Sequence, residues 1–478
     1  MAELTGQALR TDTLATLAGR GLQLPTYARN GVPGVVHLGL GAFQRAHQAL
    51  VFDALLRRGD ARWGVLGVAM HNPALADALR AQDGLYAVQI ASSTGTHWQI
   101  GAAVWQTCVA ARERSHVVQA LSAPGTRWVT LTVTEKGYGD ELAQLLVSGL
   151  SARFAAGGTG LTIASCDNLS HNGRKLKALC VEAAPSTHPA LAAWIDTRCA
   201  FPDSMVDRIV PAATAQRQAA AQDALGLIDR AALGTEAFWE WVIERRFVDT
   251  SDADALAAVG VTMVDDVEPF EEAKLRMLNG SHSAMACIGA VAGLPVISDC
   301  IAQPEVRRFV HGLMTREVGP QLKRPDWTDY RDALIARFAN PALQHSVHQI
   351  ATDSSQKIPQ RWVPTALDAI SAGHGFDCLA FAAAAWMRYC LGQDENGNTY
   401  AISDPMASQT QALAQAHAGD ATASVKALGH LTALWGDELP TKPQWIAKIT
   451  AHLHRIQSTG MLAALGAMAA TTSGPTSP

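Results

Sequence analysis

A lysine, an asparagine and a histidine stand close together in the segment that begins at Glu271, and each can exchange protons or hydrogen bonds with a polar ligand. They are Lys274, Asn279 and His282. On an α-helix, which turns ~100° and rises ~1.5 Å per residue, Lys274 and His282 would lie ~80° apart around the axis and ~12 Å along it. The three side chains could therefore reach one pocket. The same spacing also fits an amphipathic helix on which Lys274 is solvated and His282 is packed.

Two turns that carry polar side chains follow predicted strands. Asn168 lies in a turn directly after the apolar run 161–164, and Glu135 lies in a turn after the run 128–133. In a doubly wound parallel sheet, ligands bind at the carboxyl edge of the strands, which is where both turns would lie. Each could instead be an ordinary turn or helix cap that binds nothing.

A Gly-x-Gly sequence, formed by Gly39 and Gly41, closes the first apolar run and opens a helical pattern through 46–56. Glycines at such positions let the backbone approach a pyrophosphate, whose charge then meets the N–H groups of a helix N-terminus. The third position of the dinucleotide-binding fingerprint is Gln44 rather than glycine. The motif predicts a dinucleotide site, and the alternative is a tight turn without a ligand.

The residues around this motif bear on the choice of cofactor. Arg45 could reach a phosphate or lie in solvent. The second predicted strand ends at 69–72, which offers no carboxylate to a ribose hydroxyl, and the nearest one is Asp77. That segment also has no arginine to meet the 2′-phosphate of NADP, since the nearest is Arg80. NAD is therefore favoured, and NADP stays open.

Short apolar runs alternate with helical patterns in the first half of the chain. Strands that alternate with helices predict an α/β fold with a Rossmann-like, doubly wound parallel sheet. From about Glu268 onward, long Ala/Leu/Met-rich stretches such as 375–391 predict amphipathic helices. We therefore predict a dinucleotide-binding domain over 1–267 and a mostly α-helical substrate and catalytic domain over 268–478. The runs that predict the strands are 35–40, 65–68, 128–133 and 161–164.

Length, charge and cysteine content narrow the class of protein. At 478 residues the chain exceeds the size of most single cores, so two domains are expected. A net charge of −5 without basic blocks argues against nucleic acid as a partner, and the apolar stretches are too short to span a membrane. The eight scattered cysteines lack zinc-type spacing and indicate a reduced, cytoplasmic protein without a metal. A zinc site assembled from distant residues stays an alternative.

Five segments of the sequence resemble the polyol-specific long-chain dehydrogenases, the mannitol dehydrogenase family. They are 37–48, 132–138, 165–173, 205–209 and 274–282. The likeness extends from about Gly34 to the C-terminal helices, and the Lys-x4-Asn-x2-His pattern is its most specific motif. The resemblance implies a Rossmann-like domain followed by a helical domain. It also implies an NAD-dependent, metal-independent transfer of hydride between a secondary alcohol and a ketone.

The resemblance implies a role for each matched residue. Lys274 would accept the hydroxyl proton, which requires a site that lowers its pKa from the ~10.4 of a free lysine. Asn168 and Asn279 would donate hydrogen bonds to the developing alkoxide, and Glu271 would relay the proton outward. Substrate-binding positions match His282 and Asp207, and cofactor-binding positions match Gly39, Gly41, Ala42, Phe43, Arg45 and Glu135.

The segment around Lys357 and Arg361 bears on the substrate. Mannitol-specific members resemble one another in an arginine where this chain has Gln349, and the segment is more similar to the fructuronate reductase branch of the family. Lys357 and Arg361 could pair with the carboxylate of a sugar acid, although Arg361 could also be a surface residue. The expected substrate pair is therefore D-mannonate and D-fructuronate, with the chain acting as a monomer. The alternative is a polyol such as mannitol, arabinitol or sorbitol.

The chain departs from the family pattern at three places. Gln44 replaces the usual histidine, Arg245 replaces the usual acid, and the stretch between Tyr138 and Ser165 is shorter than in relatives. These departures leave the predicted catalytic residues unchanged. They bear on the substrate and on the oligomeric state.

Overall fold

The structure, a computed structural model, describes residues 6–92, 95–184, 188–212, 214–341 and 345–472. The chain divides into two compact units, Met1–Glu268 and Pro269–Pro478. The first unit contains all the described strands, and the second is helical. This division follows the change in sequence pattern near Glu268, where short β-branched runs give way to long stretches rich in alanine and leucine.

The strands of the first unit form where apolar, β-branched residues are concentrated between turns, because such side chains suit a buried pleated surface. The described strands are β1 (Val35–Leu38), β2 (Val65–Ala69), β3 (Tyr86–Ser92), β4 (Gly95–Gly101), β5 (Val104–Val109), β6 (Trp128–Leu131), β7 (Thr162–Ser165), β8 (Ser204–Asp207), β9 (Leu233–Glu236), β10 (Glu240–Glu244) and β11 (Thr262–Val264).

A five-stranded parallel sheet forms the centre of this unit. Its order is β5-β2-β1-β6-β7, and every pair of neighbours is parallel. Val35, at the start of β1, pairs with Val65 on one side and Trp128 on the other. The chain order reverses at β1, so the carboxyl ends of β1 and β6 flank the switch point at which such sheets bind ligands. The predicted Rossmann-like fold class is confirmed.

Two three-stranded sheets accompany the parallel sheet and were not predicted. One has the order β4-β3-β9 and the other β11-β10-β8, and each combines an antiparallel pair with a parallel one. The hairpin of β3 and β4 is inserted in the crossover between β2 and β5. Strand β3 then pairs with β9, far along the chain, and the sequence pattern carries no signal for such a distant partner.

Helices connect these strands, and α3, α4 and α6 contact strands of the parallel sheet. The described α-helices of the first unit are α1 (Ala42–Ala46), α2 (Gln48–Arg57), α3 (Ala74–Ala81), α4 (Ala110–Ser122), α5 (Asp140–Ala155), α6 (Asn172–Ala183), α7 (Pro189–Arg198), α8 (Ala215–Leu225) and α9 (Ser251–Ala257). A seven-residue 3-10 helix covers Thr11–Leu17, and single turns of 3-10 helix occur at Ala61–Trp63 and Glu135–Gly137.

The second unit is a set of packed helices, as predicted. Its α-helices are α10 (Glu268–Ala273), α11 (Gly280–Ala292), α12 (Ile297–Ala302), α13 (Pro304–Gly312), α14 (Trp327–Phe338), α15 (Val347–Ala351), α16 (Ser354–Arg361), α17 (Val363–Ser371), α18 (Asp377–Tyr389), α19 (Ala407–Ala416), α20 (Ala421–Leu428), α21 (Thr432–Trp435), α22 (Pro443–Thr459) and α23 (Met461–Thr472). Lys274–Asn279 and Leu313–Val318 are π-helical, and Gly319–Gln321 and Leu439–Thr441 are 3-10 turns.

Helix α18 corrects one prediction. The stretch 375–391 was expected to form an amphipathic helix, but the residues from Cys378 to Met387 are all buried. Helix α18 contacts both α11 and α22, and α11 is itself buried from Gly280 to Val291. A helix that is apolar on all sides belongs inside a helical unit rather than at its surface. Helices α11 and α18 therefore form the centre of the second unit.

Candidate functional site

The loop after β1 has the conformation that the Gly-x-Gly motif predicts. Gly39 has φ of +96°, and a Cβ there would lie 2.2 Å from the carbonyl oxygen of Thr132. Only glycine fits this position. Gly41 has an extended backbone and precedes α1. A Cβ on Gly41 would approach only the Gly39 carbonyl oxygen, at 3.5 Å, so this side of the loop is open to a ligand such as a dinucleotide.

The helix that follows the loop is interrupted, which corrects the predicted continuous pattern over 46–56. Ala42 and Phe43 begin α1, which ends after five residues at Ala46. His47 has φ of −121° and ψ of −89°, outside the helical region, and α2 begins after it. The Phe43 and His47 rings stack with centroids 5.1 Å apart. The break between α1 and α2 is therefore accompanied by a side-chain contact, which the periodicity of the sequence does not predict.

Arg45 and Gln44 both lie inside the first unit. The Arg45 guanidinium donates hydrogen bonds to the carbonyl oxygens of Ala231 and Gly41, and it lies 5.1 Å from the centre of the Tyr86 ring. Arg45 is therefore not solvated, and these contacts hold α1 against the rest of the unit. Gln44 is fully buried, and neither atom of its carboxamide has a hydrogen-bond partner among the described residues.

The remaining predicted residues of the first unit lie at strand ends. Glu135 is exposed and opens the 3-10 turn after β6, and Asn168 is exposed in the turn after β7. Because β6 and β7 are parallel neighbours, both residues lie at one edge of the sheet. Asp207 is buried and ends β8, in a different sheet, where it pairs with Glu240.

The segment that carries the lysine in the second unit is not α-helical. Glu271 lies in α10, and Lys274 opens the π-helical segment that ends at Asn279. A π-helix bonds residue i to i+5, so each turn holds more residues than an α-turn. The angle calculated between Lys274 and His282 for an α-helix is therefore wrong. Single π-helical turns within helices are frequent at functional sites.

His282 lies in the first turn of α11 and is 9% exposed. Its ring stacks on His345 at 5.6 Å and packs against Phe338 at 5.2 Å, and its Nε2 atom has no hydrogen-bond partner among the described residues. Burial lowers the pKa of His282 well below its usual value, and the charges of His345, Arg337, Arg361 and Lys357 lower it further. His282 is therefore neutral near pH 7 and lies in an electropositive environment.

Arg361 lies at the end of α16 and contacts the segment that contains Asn279. Its Nη1 donates to the carbonyl oxygen of Asn279 at 3.2 Å and to Oγ of Ser283 at 2.6 Å. Burial lowers the pKa of Arg361 to about 10, so it stays protonated at neutral pH. The alternative that Arg361 is a surface residue is therefore wrong. The structure brings Arg361, Asn279 and His282 together within the second unit.

Lys357 belongs to the same group. Its ammonium group donates to the carbonyl oxygens of Ile350, at 3.2 Å, and Thr352. Burial, and then the charge of Arg361, lower the pKa of Lys357. Two cations thus lie close enough on α16 to influence one another. Arg337, in α14, adds a third positive charge near His282, whereas burial and then Arg337 lower the pKa of His345, so its ring is neutral near pH 7. No sequence motif indicated either residue, because they lie outside the segments that carry the motifs.

Within the described residues, no group of three or more His, Cys, Asp or Glu side chains is arranged to hold a metal ion. All eight cysteines are buried free thiols. No helix in the described part of the chain is long and apolar enough to cross a membrane.

Comparisons with known proteins agree with this architecture. The mannitol dehydrogenase Rossmann domain model matches residues 33–253, and the mannitol dehydrogenase C-terminal domain model matches residues 266–457. D-mannonate oxidoreductase of Escherichia coli is 37% identical, covering 89% of this chain and 93% of its own. Mannitol 2-dehydrogenase of Aspergillus fumigatus is 32% identical, covering 97% and 99%. The solved Pseudomonas fluorescens mannitol 2-dehydrogenase, a ternary complex with NAD and D-mannitol, is 29% identical with a TM-score of 0.80, covering 97% and 100%.

A doubly wound parallel sheet with an open glycine loop, followed by a helical unit that carries Lys274, defines a dehydrogenase of two domains. The chain belongs to the mannitol dehydrogenase family of oxidoreductases. The family resemblance predicted from the sequence motifs is confirmed.

Proposed function

We propose that this protein is an NAD-dependent, metal-independent dehydrogenase that interconverts D-mannonate and D-fructuronate. The observation that carries the proposal is the positive environment of His282, to which the cationic side chains of Arg337, Lys357 and Arg361 contribute. A neutral polyol does not need several cations around its binding site. A sugar acid brings a carboxylate, and an arginine such as Arg361 can bind it through charge-assisted hydrogen bonds.

The proposed chemistry divides the hydrogen of the alcohol into a proton and a hydride. Lys274 accepts the hydroxyl proton, and bound NAD would provide the acceptor for the hydride of the carbinol carbon. Asn168 and Asn279 donate hydrogen bonds to the oxygen as it becomes negatively charged, and this stabilises the transition state more than the alcohol. Glu271 then passes the proton from Lys274 toward solvent. In the reverse direction Lys274 returns the proton to the ketone oxygen, and bound NADH would supply the hydride.

Three observations support NAD as the cofactor. The loop from Gly39 to Gly41 offers an open backbone to a pyrophosphate, with Ala42, Phe43 and Glu135 as the other proposed contacts. The end of β2 has no arginine to meet a 2′-phosphate. The Pseudomonas fluorescens relative was solved with NAD. Arg45 is proposed to act on the cofactor through the loop that it supports, because its guanidinium is bonded to Gly41 and Ala231.

For the substrate, His282, Asp207, Lys357 and Arg361 are the proposed contacts. The D-mannonate oxidoreductase relative supports a sugar acid, whereas the mannitol 2-dehydrogenase relatives favour a polyol as the second candidate. Gln349, which is exposed in α15, cannot supply the positive charge of the arginine expected in mannitol-specific members. The cytoplasm is the proposed location, because eight free thiols suit a reducing compartment. A monomer is the proposed state.

A substrate panel tests this function. The purified protein is assayed with NAD and NADP against D-mannonate, mannitol, arabinitol and sorbitol, and with D-fructuronate and NADH in the reverse direction. We expect kcat/KM for D-mannonate with NAD to exceed that for each polyol by at least ~10-fold, the difference that one charge-assisted contact provides. Faster turnover of a polyol would favour a polyol dehydrogenase.

Two further arms separate the other classes of protein. Exhaustive chelation should leave the activity undiminished, and a loss that Zn²⁺ restores would indicate a zinc-dependent alcohol dehydrogenase. A protein that binds NAD but turns over no polyol or sugar acid would instead be an NAD-binding sensor.

A further inference from the structure

We propose that Asp167 is a positioning residue that holds the cofactor-binding turn after β6 and the Asn168 turn after β7 in one fixed arrangement. The inference rests on the proposed roles of Glu135 and Asn168. It adds a residue to which neither the motifs nor the comparisons assign a function, and it concerns the first unit alone.

The Asp167 carboxylate bridges two neighbouring strand ends. It lies in the turn after β7, yet it accepts hydrogen bonds from the backbone N–H groups of Val133, at 3.1 Å, and Thr134, at 2.7 Å. The Tyr138 hydroxyl donates a third bond to it at 3.0 Å. All three donors belong to the segment after β6. The β-ladder between the two strands ends at Leu131 and Ser165, so this carboxylate continues the connection beyond the sheet.

The backbone that Asp167 holds is not one that the chain adopts easily. Thr134 has φ of +64°, which is unfavourable for a β-branched residue. Its N–H group is the donor of the shortest of the three bonds, and Glu135 follows it directly. A carboxylate that accepts at both oxygens offsets the cost of this conformation. Without it, the turn that presents Glu135 would relax.

The same network extends to the glycine loop. The hydroxyl of Thr132, one residue before Val133, donates to the carbonyl oxygen of Gly39 at 2.9 Å. On the other side, Asn172 donates to the carbonyl oxygen of Asp167 at 3.1 Å. Three adjacent strand ends, those of β1, β6 and β7, are therefore connected through hydrogen bonds. They carry the proposed pyrophosphate loop, Glu135 and Asn168.

The buried position of Asp167 means that it can affect a bound ligand only through neighbouring residues. It is 7% exposed, so it is shielded from a ligand, while Asn168 beside it is exposed. Burial raises the pKa of Asp167, and its hydrogen bonds to Thr134, Val133 and Tyr138 oppose that shift. Burying this carboxylate costs desolvation free energy. The three hydrogen bonds that it accepts from the segment after β6 offset that cost.

The test compares Asp167→Asn with the matched variant Asp252→Asn. Asp252 is also buried and also binds the β6 region, but at its amino end, where it accepts from Trp128 at 2.7 Å and Arg127 at 2.8 Å. Both variants remove a buried charge that supports the same strand. Thermal unfolding measures the structural cost of each, NAD affinity is measured by isothermal titration, and kcat and KM are measured with the best substrate of the panel.

We expect Asp167→Asn to lower kcat at least ~10-fold and to weaken NAD binding at least ~3-fold. Val133 and Thr134 donate to different carboxylate oxygens, and the amide NH2 that replaces one of these oxygens cannot accept a hydrogen bond. Asp252→Asn should lower the unfolding temperature while it leaves kcat and NAD affinity within ~2-fold of wild type. Equal kinetic losses in both variants, or an Asp167→Asn enzyme that matches wild type, would overturn the proposal.

Tyr138→Phe provides a milder variant in case Asp167→Asn does not fold. It removes one donor and keeps both backbone donors, so we expect a smaller loss of kcat and of NAD affinity in the same direction. Unchanged NAD affinity and unchanged kcat would count against the proposal. The NAD-binding measurement also separates the two claims: if the wild type turns over no substrate, the proposed function fails, while weaker NAD binding by Asp167→Asn still supports the positioning role.

Discussion

Arg361 illustrates how burial gives a charged side chain a role that its sequence position does not reveal. It follows a proline in α16, and it could equally have been a surface residue. Instead, its guanidinium is bonded to Asn279 and Ser283 and contributes to the positive environment of His282. Desolvation lowers the pKa of Arg361, and a desolvated cation costs free energy unless an anionic group pairs with it. We interpret this cost as the basis of selectivity for an acidic substrate.

Replacing Arg361 tests this interpretation. Arg361→Met should raise KM for D-mannonate about 10- to 100-fold, since a charge-assisted hydrogen bond contributes ~1.5–3 kcal/mol. KM for mannitol should change much less, because a polyol has no carboxylate to lose a partner. Steady-state kinetics on both substrates gives the ratio of KM for D-mannonate to KM for mannitol directly.

The matched control is Arg276→Met. Arg276 lies in the same π-helical segment as Lys274 but forms ion pairs with Glu272, at 2.8 Å, and Asp368, at 2.7 Å. Its replacement should leave the mannonate-to-mannitol ratio unchanged. If Arg361→Met raises both KM values equally, the arginine supports the fold of the site and does not recognise a carboxylate.

At the residue scale, the sequence was most informative where chemistry and spacing coincide. The Lys274, Asn279 and His282 pattern identified the family, and the comparisons confirmed it. Residue type and spacing did not reveal Asp167 as a bridge between strands, because aspartate after a strand is common in turns. The sequence also did not predict the positive environment of His282, because that environment depends on side chains from several helices.

Among the elements, the glycine loop after β1 is the one whose conformation follows most directly from its sequence. Gly39 combines a positive φ with a carbonyl oxygen where a Cβ would lie. Gly59, after α2, has φ of +91° but no atom within 4 Å of an added Cβ. A substitution at Gly59 therefore measures the cost of backbone strain alone, whereas one at Gly39 adds the cost of a steric clash.

We expect Gly59→Ala to cost about 1–2 kcal/mol of unfolding free energy, the cost of a left-handed conformation alone. Gly39→Ala should cost more than that, and it should also weaken NAD binding at least ~10-fold, because the loop must move away from Thr132. Thermal unfolding and NAD titration measure both effects. Equal destabilisation by the two variants would show that the contact with Thr132 does not contribute to the cost of Gly39→Ala.

Helix α18 gives a prediction about pH. The Glu317 carboxylate accepts hydrogen bonds from the backbone N–H groups of Cys378, at 2.6 Å, and Leu379, at 2.9 Å, in the first turn of this helix. Burial raises the pKa of Glu317 from 4.5 to about 7. A raised pKa means that the folded state binds the proton more tightly than the unfolded state does. Glu317 therefore stabilises the fold most below pH ~4.5, and this contribution is lost as the pH rises through ~7.

The comparison of wild type with Glu317→Gln isolates this group. Between pH ~4.5 and ~7, the unfolding free energy of wild type relative to the variant should fall by about 3 kcal/mol, the equivalent of the shift in pKa. Thermal unfolding of the two proteins, followed by circular dichroism across this range, gives the difference. Parallel pH profiles for the two proteins would contradict the assignment.

Helices and strands were predicted well where a single hydrophobic period dominated the sequence. Buried runs such as Val35–Leu38 and Trp128–Leu131 became strands of the parallel sheet. The π-helical segment was missed, because Lys274–Asn279 has no proline or glycine to signal a change of turn. The break at His47 was missed for the same reason. The break at His47 coincides with tertiary contacts that periodicity does not predict: its ring lies 3.0 Å from the carbonyl oxygen of Glu240 and packs against Trp239 and Trp241.

At the scale of the whole molecule, the sequence was sufficient to predict an α/β unit followed by a helical unit. The order of the parallel sheet, β5-β2-β1-β6-β7, is that of a doubly wound fold, in which the chain order reverses at one point. The two smaller sheets depend on pairs such as β3 with β9, whose partners are distant in sequence and leave no periodic pattern. Family membership therefore fixes the class of reaction, while we propose that the choice between sugar acid and polyol depends on side chains around His282.

The central claim is that Lys274 is the base. Single-turnover oxidation of D-mannonate by Lys274→Met, with NAD bound, tests it most directly, with the exposed Lys426→Met as control. We expect Lys274→Met to bind NAD as wild type does and to lose about 10²- to 10⁴-fold in the hydride-transfer rate, since methionine cannot accept the proton. Lys426→Met should match wild type. A Lys274→Met protein that transfers hydride at the wild-type rate would contradict the account.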